Sequence, residues 1–162
     1  MNYYRSPNFN RSTKRFEHQS GDNNERKFLQ ITKVASEYFW RDYDEWEYKG
    51  FPTINPSKIE LAHFSESVIW VGHSTVMMNH NGVTVLTDPH FTKRAGPFGF
   101  MGPKRITPPP FLIEDLPKID IIVISHNHYD HLDRQSIIRL ATLQPEIKFF
   151  APLGLSRILK SL

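Results

Sequence analysis

At 162 residues, 39% hydrophobic and 23% charged, the chain has the size and make-up of one ordinary globular domain rather than a disordered or fibrous protein. The absence of cysteine excludes disulfides, thiolate-bound zinc and a thiol nucleophile, so any metal must be held by His and carboxylates. A net charge of +3 with scattered Lys and Arg gives no case for a nucleic-acid partner, and a solvated basic surface is the simpler expectation.

The amino terminus has no apolar core of a secretory signal, and apolar runs such as Ile121 to Ile124 fall far short of the ~20 residues that span a bilayer. No transmembrane segment is expected; the expected location is the cytoplasm, with association at a membrane surface as an addition to it. Residues 1–24 are polar and lack apolar periodicity, which suggests a mobile tail ahead of a domain over 25–162. From Asn24 to Trp40, Phe28, Ile31, Val34, Ala35, Tyr38 and Phe39 recur at helical spacing and predict an amphipathic helix.

Val68 to Val71, Thr75 to Asn79 and Val83 to Thr87 are short, β-branched and separated by Gly72 and Asn81-Gly82, so they read as successive strands. Asn-Gly predicts a tight hairpin, because both residues tolerate positive φ. Thr92 to Pro110, rich in Pro and Gly, predicts a long stiff loop, a class that is usually functional or mobile. Ile119 to Ser125 is nearly continuous in apolar residues, the pattern of a strand covered on both faces. A helix capped by Asp133 and ending before Pro145 follows, then a strand over Ile147 to Ala151, in the α/β manner.

Directly after the apolar strand comes His126-Asn127-His128-Tyr129-Asp130-His131, with four ligand-type side chains in six residues. His126 and His128 are two apart, so on an extended backbone both imidazoles point to one side and converge on one cation. Asp130 and His131 follow at the next turn and offer a carboxylate and an imidazole to a neighbouring cation. Nitrogen and oxygen donors suit zinc first, with iron or manganese as alternatives. No other pair has this spacing, so removal of His126 and His128 is expected to abolish metal binding.

His73, beside Gly72, and Asp88, ahead of Pro89, each have an ordinary reading as turn residues. Their functional reading is support of the metal ligands, with Asp88 accepting a hydrogen bond from a ligating imidazole and so setting its tautomer. His18, His63, His80 and His90 have no ligand spacing and read as surface or loop residues. Lys93, Arg94, Lys104 and Arg105 are solvated loop charges on the ordinary reading and contacts to an anionic substrate on the other.

Taken together, Trp70-Val71-Gly72-His73-Ser74-Thr75, Leu86-Thr87-Asp88-Pro89, Gly102-Pro103-Lys104-Arg105 and Ser125 to Asp133 resemble, in order and spacing, the enzymes akin to N-acyl-phosphatidylethanolamine-hydrolysing phospholipase D. The resemblance runs from about Pro56 to the end and implies an α/β fold, the metallo-β-lactamase αββα sandwich. It also implies a dinuclear zinc site, with His126 and His128 on one ion, Asp130 and His131 on the other, Asp130 also acting as catalytic proton acceptor, and Asp88 as a structural acid. Two cations would lower the pKa of a water between them for attack on a phosphodiester. An anionic small molecule or a phospholipid is the implied substrate, and a lactone or other small ester is the alternative on the same fold.

Such enzymes need a further His, a bridging Asp and a last His, yet no His follows His131 and no Asp follows Asp133. The expectation is therefore the first half of the sandwich only, truncated or split and inactive alone. Completion would come from a second polypeptide or from a second copy in a homo-oligomer. A remnant without catalysis that associates through its open face is the reading outside enzymes.

Overall fold

In a computed structural model, the described residues are 65–99 and 101–162, together with 7, 9–12 and 15–16. Two compact units divide the chain, Met1–Glu37 and Tyr38–Leu162. In the first, β1 (Phe9–Asn10) and β2 (Arg15–Phe16) pair antiparallel, inside the stretch for which a tail is expected. Asn10 Oδ1 accepts from Ser12 N at 2.9 Å and from Ser12 Oγ at 2.7 Å, the local bonding by which Asx residues start turns. The helix expected over 24–40 lies outside the described residues.

In the second unit, alternating β-branched residues build β3 (Ser67–Gly72), β4 (Thr75–His80) and β5 (Val83–Thr87) into an antiparallel meander. Asn81 and Gly82 join β4 to β5 with φ of 50° and 76°, as a two-residue hairpin with the right twist requires. β6 (Ile121–Val123) and β7 (Lys148–Phe150) then add in parallel, giving the five-stranded order β3-β4-β5-β6-β7. Between them runs α1 (Arg134–Leu143), and α2 (Leu155–Leu159) follows β7.

Helix α1 begins where Asp133 accepts from the Gln135 amide at 3.2 Å, and it stops at Gln144, before Pro145. Its Ile137 and Leu140 pack in one buried cluster with Met77, Leu86 and Ile122, neighbours across one face of the sheet. Full burial of each such side chain is worth about 1.5–3 kcal/mol, so this face anchors the unit. On the other face, large apolar side chains are exposed. Val68, Trp70, Val123 and Phe150 are 69%, 55%, 39% and 56% exposed.

That asymmetry corrects the expectation of a strand covered on both sides. Ile122 and Ile124 are buried, but Val123 between them is exposed, because helices cover one face only among the described residues. An apolar sheet face of this kind is the surface on which a sandwich lays its second layer.

Residues 92–99 and 101–110 form neither helix nor strand and are nonetheless tied to one another. Ala95 N donates to Pro103 O at 2.9 Å and Arg105 N to Lys93 O at 2.8 Å, so two arms run side by side. Gly102 permits this approach: at its φ of 88°, a Cβ would lie 2.3 Å from Ala95 O.

Candidate metal centre

The carboxyl ends of β5 and β6 lie side by side, since Asp88 N donates to Val123 O at 2.9 Å just past the last paired residues. This sets Asp88 against the segment leaving β6. Its carboxylate accepts from Ser125 N at 2.7 Å, from Ser125 Oγ at 2.7 Å and from His131 Nδ1 at 2.9 Å. Asp88 is 6% exposed and has φ of 38°, a left-handed conformation that Asp tolerates better than most residues. With Nδ1 so bonded, His131 keeps Nε2 for the other side of its ring.

After Ser125 the chain turns. His131 N and Leu132 N both donate to His128 O, at 3.0 and 2.7 Å, and buried Leu132 and Asp133 peg the turn to the core. Asp133 also accepts from Phe91 N at 3.3 Å, from Thr92 N at 3.2 Å and from Ser136 Oγ at 2.6 Å, tying the turn to the segment after β5.

The imidazoles do converge: His126 Nε2 lies 3.0 Å from His128 Nδ1, and the His126 and His131 ring centroids are 4.0 Å apart. His131 Nε2 is 3.5 Å from Asp130 Oδ2. His73, placed outside the ligand set by its distance in sequence, arrives from the β3–β4 turn with Nε2 at 2.9 Å from the same oxygen. His73, Asp130 and His131 thus present three donor atoms within 4.8 Å of one another.

These separations suit a cation. Ligands at about 2.0–2.1 Å in a tetrahedron stand about 3.3 Å apart, and two imidazoles with a carboxylate are a donor set that zinc accepts. Burial, and after it the neighbouring His131 and His128, lowers the pKa of His126, which favours the neutral imidazole that a cation needs. Burial raises the Asp130 carboxyl, but a backbone hydrogen bond and the His131 and His73 imidazoles outweigh it and hold the pKa below the ordinary value.

A cleft of about 800 Å³ opens beside Asp130 and His128, walled by Trp70, Tyr129, Ile106, Lys104 and Arg105. Arg105 is not a solvated loop charge. Its Nε donates to Thr107 O at 2.9 Å, its Nη2 to Val71 O at 3.2 Å and its Nη1 to His90 O, so it clamps the loop to the hairpin and to the segment after β5. Gly72 leaves room for it, since a Cβ there would lie 2.4 Å from Arg105 Nη2.

His90, read from the sequence as a surface or loop residue, is 3% exposed, with Nδ1 accepting from Arg105 Nη1 at 3.0 Å. Its isolation from ligand spacing carried no signal of burial. Ser125, which the sequence places in the motif without a role, is the hub that bonds Asp88 and sits 2.9 Å from His126 Nδ1.

Burial lowers the His90 pKa, with Arg105 adding to the effect and Asp133 opposing it. The fold therefore holds His90 neutral while the unfolded chain takes up a proton as the pH falls through about 6.5. Stability from this residue is present above that pH and lost below it. Urea midpoints should fall between pH 7 and 5, and His90→Gln should flatten the slope; an unchanged slope would remove His90 as its source.

Residues 83–162 match the family described as β-lactamase superfamily domain. An N-acyl-phosphatidylethanolamine-hydrolyzing phospholipase D of Caenorhabditis elegans is 49% identical over 92 residues, which are 57% of this chain and 26% of that protein. A mitochondrial enzyme of the same name from Saccharomyces cerevisiae is 47% identical over 68 residues, 42% of this chain and 14% of its own. A metal-dependent hydrolase of Lawsonia intracellularis is 38% identical over 66 residues, 41% of this chain and 24% of its own. The chain thus spans about a quarter or less of the length of these relatives.

Proposed function

We propose that this chain, whose residues 83–162 match the β-lactamase superfamily domain and which is similar to a metal-dependent hydrolase, supplies the first ligands of a zinc-dependent phosphodiesterase of phospholipase D type. The observation that carries the reading is the convergence of His126, His128, Asp130 and His131 at the end of β6 beside a largely apolar cleft.

His126 and His128 would hold one cation and Asp130 and His131 a second. Such a pair of ions acidifies water and takes up charge on a phosphoryl group. The chain's own groups do the rest. Asp88, through His131 Nδ1, keeps that imidazole in the tautomer with a free Nε2. Asp130 has the ionised carboxylate and the position to accept the proton released by the attacking water. Lys104 and Arg105 bring positive charge to the cleft wall, where an anionic headgroup would lie, while Trp70, Ile106 and Tyr129 suit its apolar part.

No described helix is long and apolar enough to cross a membrane, and a lipid substrate would be met at the bilayer surface. The exposed Val68, Trp70, Val123 and Phe150 on one sheet face fit a sandwich completed by more polypeptide or by a second copy. We infer that these 162 residues alone are inactive, since the reading needs two cations and the segment after Asp133 contains no His or Asp to complete both sets of ligands.

Mixing the chain with a polypeptide that carries the remaining ligands should produce zinc-dependent hydrolysis of bis(p-nitrophenyl) phosphate and of an N-acylated phosphatidylethanolamine, absent from either part. A folded, metal-loaded mixture without turnover rejects the reading. Cleavage of a lactone in place of both phosphodiesters moves the substrate class and leaves the site.

A further inference from the structure

The hairpin tip between β3 and β4 is held more firmly than a surface turn needs. His73 has φ of 52°, a left-handed conformation uncommon for a residue with a side chain. Three separate bonds pin its surroundings: Trp70 Nε1 donates to His73 O at 2.9 Å, Thr87 Oγ1 to Ser74 O at 2.8 Å, and Arg105 Nη2 to Val71 O at 3.2 Å. Backbone conformations of this kind persist where the surroundings over-determine them, and they cluster at functional sites.

The pinned turn aims one atom. His73 Nε2 stands 2.9 Å from Asp130 Oδ2, itself 3.5 Å from His131 Nε2, and the two imidazoles meet edge to face with centroids 5.1 Å apart. These two edges bracket the separation of about 3.3 Å between zinc ligands in a tetrahedron.

We infer that His73 is a protein ligand of the same cation as Asp130 and His131, so that this chain alone holds one site with three protein donors. The inference rests on the metal reading above and adds a ligand that comes 57 residues before Asp130. A hydrogen bond alone would make His73 a positioning residue, whose loss elsewhere costs about 10–100-fold in metal affinity; a ligand costs more.

The test uses the full chain carrying His126→Ala and His128→Ala, which isolates this site. Titration with cobalt(II) should show one ion per chain with the visible absorption of a tetrahedral centre, and X-ray absorption should count two imidazoles. Adding His73→Gln, which keeps an N–H for Asp130 but no imidazole, should weaken cobalt binding by more than about 100-fold, above the range of a positioning partner. One imidazole per cobalt, or a His73→Gln loss of no more than about 100-fold with an unchanged spectrum, overturns the inference. Cobalt bound by the unsubstituted chain but not by the double variant overturns it and spares the metal reading; no cobalt on either removes both. The imidazole count stands even if His73→Gln fails to fold.

Discussion

Asp88→Ala should lower the unfolding free energy by about 3–5 kcal/mol, the cost of breaking a buried, hydrogen-bonded ionic group. Three donors lose their acceptor at once, namely Ser125 N, Ser125 Oγ and the Nδ1 of His131. A buried donor without a partner costs about 1–3 kcal/mol, and the Ser125 hydroxyl is the one able to turn elsewhere, with His126 Nδ1 at 2.9 Å. The backbone adds to the loss, because φ of 38° suits Asp and not Ala. Domains are stable by about 5–15 kcal/mol, so the variant should sit near the edge of folding. Urea unfolding of apo chains decides it; a loss below about 1 kcal/mol would mean that the Asp88 bonds contribute no more than an ordinary neutral pair. Asp88→Asn should separate stability from tuning. It tolerates the left-handed backbone and keeps one acceptor oxygen, yet that oxygen cannot serve both Ser125 N and His131 Nδ1, which the two carboxylate oxygens take separately, so metal affinity should fall by about 10–100-fold while the fold survives.

Asp130→Ala should weaken the tighter metal site by about 100–1000-fold. Four-ligand structural zinc sites are worth about 10–16 kcal/mol, or roughly 2.5–4 kcal/mol for each ligand, and 1.4 kcal/mol is tenfold in affinity. Asp130 Oδ2 is the atom that His73 and His131 share, so its removal takes the centre from that group. Competition between the chain and a zinc-binding dye reads the loss directly, and circular dichroism of the apo variant tests for unfolding. A loss below tenfold would show that the cation is held elsewhere. The contrast is His126→Ala with His128→Ala. Sequence spacing alone expects this pair to abolish binding, whereas with His73, Asp130 and His131 brought together one ion per chain should remain.

Much of the site and its frame is legible in the residue order because the signals are local. His126 and His128, two apart, bring their nitrogens to 3.0 Å, although the chain bends at Asn127 and His128 instead of running extended. Asn81-Gly82 needs only its own φ preferences to close the β4–β5 hairpin, and Asp133 caps α1 through an amide two residues on. The expected strand over Ile119 to Ser125 is regular only over Ile121–Val123, but the ladder continues through Asp120 N to Thr84 O at 3.0 Å and Ile124 N to Phe150 O at 2.9 Å.

What stays hidden depends on contacts between distant segments. Arg105 looks like one of several loop cations until its guanidinium is seen to bind three carbonyls, and His90 looks exposed until Arg105 covers it. Apolar content likewise cannot say which sheet face is covered, since Ile122 and Val123 are equally hydrophobic and differ only in what α1 reaches.

By itself the sequence determined the donor chemistry, the hairpins, the cap and the place of the motif after an apolar strand, because each follows from side chains within a few residues of one another. Tertiary structure alone decided that His73 meets Asp130, that Asp88 and Ser125 orient the imidazoles, and that one apolar face of the sheet stands open. Those are distances across the fold, and they are set by how β3, β4, β5 and β6 line up in one sheet.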